Sequence, residues 1–243
     1  MITKSIPNLF TLGNLFLGML AMMLALDGRY SLAAIMVIVA MLLDGLDGRV
    51  ARALNCQSEF GKQLDSLSDI ISFGIAPALI MYVISFHSLP QTGLAWAVTA
   101  IFPMCGALRL ARFNVQKGIP GYFIGLPIPA AGGVVATLSL FHKDITAPYF
   151  IFSMLLLSYL MVSSVRYPNF KKLGLPKKAV NATPFVVVLA VVIAVLFPDE
   201  TSKLIFVPLV IYAGYGLKQN IDRLLRRKRR EEDDSERLFG PKR

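Results

Sequence analysis

Histidine and cysteine are nearly absent, with two of each in 243 residues. Cys56 and Cys105 make neither a disulfide framework nor a zinc-ligand spacing, and are read as two reduced thiols. His87 and His142 lie near loops and are read as incidental. Charge is scarce as well: 16% of residues are charged and 55% hydrophobic. Apolar runs approach 20 residues with almost no charge, which is too long for a soluble helical bundle and reads as transmembrane helices. No internal repeat and no soluble domain is found.

Acidic residues are the scarcer sign, 15 against 25 basic, for a net charge of +10. A basic chain raises the question of nucleic acid, and the distribution argues against it. Much of the excess sits in the tail Lys218–Arg243, where the run Arg226, Arg227, Lys228, Arg229, Arg230 passes straight into Glu231, Glu232, Asp233 and Asp234. A basic block just after an apolar segment is first a topology signal. The tail is read as a solvated cytoplasmic end.

The apolar pattern predicts eight helices: 7–26, 31–54, 61–86, 93–113, 127–142, 147–166, 179–197 and 202–218, with a Gly- and Pro-rich loop at 118–125. The first is too long for a signal peptide and is read as retained. With the N-terminus inside and the helices alternating, 22 of the 25 basic residues fall inside, all but Arg29, Lys143 and Lys203. That asymmetry predicts a multi-pass protein of the cell membrane with both termini cytoplasmic. The expected organisation is all-α: a six-helix membrane core over 1–170, an added helix pair over 171–218, and the tail over 219–243.

Against this background one stretch stands out, Asp44–Asp69: DGLDGRVARALNCQSEFGKQLDSLSD. Asp44 and Asp47 are spaced i, i+3, and Asp65 and Asp69 i, i+4, so each pair shares a helix face. Two facing helices then bring four carboxylates to one point, at the cytoplasmic side by the charge map. Intramembrane charge is costly and marks function. The partner that suits four carboxylates is one hard divalent cation, or two. Gly48 permits close approach to the second helix, and Arg52, one turn on, can grip phosphate in bidentate fashion. Gly61 opens the third helix where a bulky side chain would block the cavity. This set suits displacement at a pyrophosphate, where negative charge must be neutralised and an aspartate can take the acceptor's proton.

Asp44-x-x-Asp47-Gly48-x-x-Ala51-Arg52, eight residues, then Gly61-x-x-x-Asp65-x-x-x-Asp69 resembles the signature of the CDP-alcohol phosphotransferases at every defined position. The resemblance covers the first six helices, and the last two helices and the tail look like an addition. It implies Asp44, Asp47 and Asp65 as ligands of Mg2+ or Mn2+, two ions in all, with Asp69 as ligand and general base. It also implies Gly48, Arg52, Ser58 and Gly61 around the CDP-linked lipid, with Asn8 assisting. Asn8 has a plainer reading as a helix N-cap, and Ser58 as a loop serine.

The motif fixes the donor better than the acceptor alcohol. Pro7–Asn14 (PNLFTLGN), Gly106–Asn114 (GALRLARFN) and Gly125–Ala131 (GLPIPAA) look like the serine-accepting branch of the family found in bacterial and archaeal membranes. This implies CDP-diacylglycerol and L-serine as substrates, and a homodimer in the lipid bilayer. Arg109 and Arg112, spaced i, i+3 at the same cytoplasmic end, can hold a carboxylate, and Asn114 can bind the acceptor or cap its helix. Both arginines are otherwise ordinary inside-facing positive residues. Glycerol phosphate or inositol phosphate on the same scaffold is the nearest alternative. A cation transporter and a non-catalytic lipid-binding scaffold are the competing classes. All four acids near one face, beside Arg52, weigh against transport.

Overall fold

The computed structural model describes residues 2–53, 56–116 and 122–168, together with Ile211 and Gly214. Six helices lie among them: α1 Ile2–Leu26, α2 Tyr30–Ala53, α3 Glu59–Phe86, α4 Thr92–Val115, α5 Ile128–Phe141 and α6 Ala147–Val162. By length and composition α1 to α4 can each cross a membrane, and α5 and α6 are shorter apolar helices. This is a multi-pass arrangement. The helices expected at 179–197 and 202–218, and the tail, lie outside the described residues, apart from Ile211 and Gly214, both helical.

Three departures from the expected map have physical causes. First, α1 begins at Ile2, not at residue 7, with Pro7 inside it. Proline's φ is helical, so the helix runs through it, at the loss of the one ladder bond that its missing N–H would have made. Second, α3 is not uniformly α-helical. It widens into π-helix over Ile70–Ile75 and again over Tyr82–Phe86. Pro77 follows the first wide turn, which eases its ring past the preceding carbonyls. Third, an all-α chain was expected, yet a short antiparallel ribbon pairs β1 Tyr122–Ile124 with β2 Arg166–Pro168, with Phe123 opposite Tyr167. The sixth helix therefore ends at Val162 rather than 166, and the chain folds back so that Tyr167 is fully buried. Gly125 N–H donates to Val165 O at 2.7 Å and Leu126 N–H to Leu160 O at 3.0 Å, which supplies the backbone partners of this return.

Helix α5 is buried all round from Ala130 to Leu138 and forms the centre of the bundle. Phe73, Phe102, Met154 and Met161 are fully buried in the same core. Helix α1 runs along one side and shows a strict two-faced pattern. Pro7, Thr11, Asn14, Gly18, Ala21 and Ala25 are buried at alternating steps of four and three. Leu9, Phe16, Met23 and Leu26 are exposed on the opposite, lipid-facing side. Within a bilayer apolar burial does not drive helices together, so small residues and hydrogen bonds at the seam must do it. Both are present between α1 and α3. A Cβ on Gly18 would lie 2.7 Å from Ser72 Cα, and Ser72 Oγ donates to Asn14 O at 2.9 Å.

This close approach predicts that Gly18→Val forces α1 from α3 at an overpacking cost of about 1–3 kcal/mol. Thermal unfolding of the detergent-solubilised protein should show a midpoint several degrees lower. An unchanged midpoint would mean that the contact is not tight.

Candidate active site

Helix α2 presents Asp44 and Asp47 one turn apart, and α3 presents Asp65 and Asp69 one turn apart. One carboxylate oxygen from each of Asp44, Asp47 and Asp65 lies within 4.8 Å of the other two. Asp44 is within side-chain hydrogen-bonding reach of both Asp65 and Asp69. Asp47 and Asp69 are each 6% exposed. Three of the four expected carboxylates thus converge, and Asp69 adjoins them through Asp44. Among the described residues Asp44, Asp47 and Asp65 are the one such acidic group.

The donor set fits a hard divalent cation. It is all oxygen and compact, and it carries a polar atom the protein leaves unmatched: Asp69 Oδ1 is buried with no hydrogen-bond partner. Helix α1 supports the cluster from outside. Thr11 Oγ1 lies 3.0 Å from Asp47 Oδ2 and 3.1 Å from Pro7 O, with one proton to share between them. Ser68 Oγ donates to Thr11 O at 3.0 Å and fixes α3 against the same turn. These outer contacts orient the carboxylates.

The remaining expected residues divide into those drawn together and those drawn elsewhere. Gly48 follows Asp47 on α2, half-buried. Arg52 is in the last turn of α2, and its side chain lies outside the described residues. Asn8 was weighed as an N-cap and is not one, because α1 starts six residues earlier. Ser58 is the N-cap of α3: its Oγ accepts from Gly61 N–H at 3.0 Å, leaving its own proton available to donate. A Cβ on Gly61 would lie 3.1 Å from both Asn8 Oδ1 and Ser58 Oγ, so α1 and the start of α3 meet at this point.

At the end of α4 the three expected acceptor residues part ways. Arg109 is 7% exposed, sits 5.4 Å from the Phe113 ring centroid, and is the positive charge acting on Asp69. Arg112 turns away and donates through Nη1 to Val162 O at 2.8 Å, capping the end of α6. Asn114 Nδ2 donates to Ser66 Oγ at 2.9 Å, and Asn114 O accepts from Lys62 Nζ at 3.4 Å. These two contacts tie the end of α4 to the start of α3.

Thr11 and Asn14 stand in the stretch PNLFTLGN but were given no role of their own from the sequence, and Ser66, Ser68 and Ser72 were not singled out. A signal existed, because hydroxyl and amide side chains recur at i, i+3 or i, i+4 on otherwise apolar helices. Arg112 now has a packing assignment that can be measured. Arg112→Met removes a charge-assisted hydrogen bond worth about 1.5–3 kcal/mol. The thermal midpoint should drop by several degrees, with the affinities for small polar ligands little changed. Unchanged stability with lost ligand affinity would instead return Arg112 to the binding site.

Residues 4–162 match the sequence model of the CDP-alcohol phosphatidyltransferase family. A CDP-diacylglycerol–serine O-phosphatidyltransferase of Helicobacter pylori is 45% identical over 174 residues, covering 68% of this chain and 73% of that protein. The enzyme of the same name from Bacillus subtilis is 38% identical over 167 residues, covering 69% and 92%. An archaetidylserine synthase of Methanothermobacter thermautotrophicus is 38% identical over 176 residues, covering 70% and 72%. The matched span takes in both aspartate pairs and all six described helices, and the chain belongs to the CDP-alcohol phosphatidyltransferase family.

Proposed function

We propose that this chain transfers the phosphatidyl group of CDP-diacylglycerol to the hydroxyl of L-serine, giving phosphatidylserine and CMP. The observation that carries the reading is the convergence of Asp44, Asp47, Asp65 and Asp69 with the buried cation Arg109 at one end of an apolar bundle. The names of the relatives from Helicobacter pylori and Bacillus subtilis support serine as acceptor. The family typically uses a divalent metal, and the four aspartates would hold Mg2+ or Mn2+, as two ions. Bound there, the ions supply neutralisation of the pyrophosphate and of the charge developing on the departing CMP.

The chain's own residues do the rest. CDP-diacylglycerol enters laterally, with its acyl chains remaining in the bilayer. Gly48 and Gly61 leave room for the CDP moiety, Arg52 and Ser58 contact it, and Asn8 lies beside Gly61. Arg109 attracts the serine carboxylate, and Asn114 ties the end of α4 that carries Arg109 to α3. Asp69 takes the hydroxyl proton. The serine oxygen then bonds to the lipid-linked phosphorus as the bond from that phosphorus to the CMP oxygen breaks.

The charge map supports cytoplasmic termini and a site opening to the cytoplasm. A core over 1–170 with an added helix pair and tail is supported by the end of the family match at 162, and by the Bacillus subtilis relative, 92% of which is covered by 69% of this chain. The family resemblance supports a homodimer in the membrane.

Purified protein given CDP-diacylglycerol, Mn2+ and one alcohol at a time should release CMP with serine and not with glycerol 3-phosphate or inositol phosphate. Release with another alcohol alone would reassign the acceptor, and release with none would overturn the enzyme reading. Asp69→Asn should abolish transfer, by 1,000-fold or more in kcat, on the order of the largest general-base contributions, while CDP-lipid binding is largely kept. Near-normal turnover by that variant would remove Asp69 from the role of base.

A further inference from the structure

Asn14 is fully buried on α1, and neither its Oδ1 nor its Nδ2 has a hydrogen-bond partner among the described residues. A buried amide without partners is costly, and natural folds rarely leave one unless something else meets it. The register of α1 against α3 shows where this amide sits. Ser68 Oγ donates to Thr11 O, and Ser72 Oγ donates to Asn14 O. Asp69 lies between those two serines, and its Oδ1 is likewise buried with no hydrogen-bond partner among the described residues. Asn14 shares the buried face of α1 with Thr11, whose hydroxyl already meets Asp47. Helix α1 thus brings one polar side chain to the α2 acids and, one turn deeper, a second to the level of Asp69. The π-helix that starts at Ile70 sets the turn carrying Ser72 against Asn14.

We propose that Asn14 is a positioning residue for Asp69: when the site is loaded, Asn14 Nδ2 donates to Asp69 Oδ1 and fixes the carboxylate that takes the acceptor's proton. The inference rests on the role assigned to Asp69 above. It explains why an amide, rather than the leucine or alanine that the surrounding seam favours, stands at a fully buried position.

The test uses Asn14→Leu, which keeps the heavy-atom count and branching of asparagine but has no donor. Three quantities are measured on full-length protein: the thermal midpoint without metal, the Mn2+ Kd by titration, and kcat and KM for CMP release. The metal-free midpoint should stay level or rise, because an unpartnered buried amide is replaced by an apolar group of the same shape. Mn2+ should bind about 10-fold to 100-fold more weakly, as when an outer partner of a metal ligand is lost. The value of kcat should fall by about the same factor, with both KM values within about threefold of the parent.

Mn2+ affinity and kcat both within threefold of the parent would overturn the proposal. So would a lowered metal-free midpoint, which would make Asn14 a packing residue. Asn14→Ala provides the Mn2+ and kinetic readouts if the leucine variant does not fold. Failure of the parent protein to release CMP with any alcohol would count against the proposed function alone, because the Mn2+ titration and the metal-free midpoint still decide the part played by Asn14.

Discussion

Four carboxylates held together in an apolar bundle are the constraint on which everything else here depends. Two unit charges about 4 Å apart repel by about 4 kcal/mol even at an effective dielectric near 20, and each also loses hydration on burial. Asp44, Asp47, Asp65 and Asp69 carry that cost together, with the buried Arg109 as the opposing charge at Asp69. Such an arrangement favours cations. The fold's task is to keep two helices from separating under this repulsion. Thr11, Ser68 and Ser72 do so by hydrogen bonds, and Gly18 by allowing backbones to touch.

The same constraint explains the unusual form of α3. An 11-residue α-helical stretch carries Asp65 and Asp69 and ends at Asp69, and the wide turn begins at the next residue. A π-turn rotates the following residues relative to a continuous α-helix. The polar face that serves the site is thereby uncoupled from the apolar face that packs on α4 and α5 below it. Asp69 stands at the junction, buried among the acids and beside α1.

Much of this was legible in the sequence, for identifiable reasons. The six described helices follow from apolar runs, whose length is set by the bilayer rather than by subtle propensities. The two aspartate pairs follow from spacing, because i, i+3 and i, i+4 place each pair on one helix face, and their meeting follows once α2 and α3 face each other. What could not be read depends on register between helices. Nothing in the residues near Ile70 announces a π-turn, and the seam along Thr11, Asn14 and Gly18 has meaning only once α3 is placed against it. The ribbon joining Tyr122–Ile124 to Arg166–Pro168 spans more than forty residues of intervening chain, and it cut short the helix expected to reach 166. Arg109 and Arg112 look alike in sequence, yet one faces the acids and the other caps α6. One helical turn separated a buried charge from a strut.

Anomalous diffraction from crystals grown with Mn2+ decides whether the cluster is a cation cage shared by α2 and α3. Anomalous peaks are expected at coordination distance from Asp44, Asp47, Asp65 and Asp69, and are expected to vanish in a variant that replaces Asp44 and Asp65 by alanine. Peaks elsewhere in the molecule, or none among these four side chains, would contradict it.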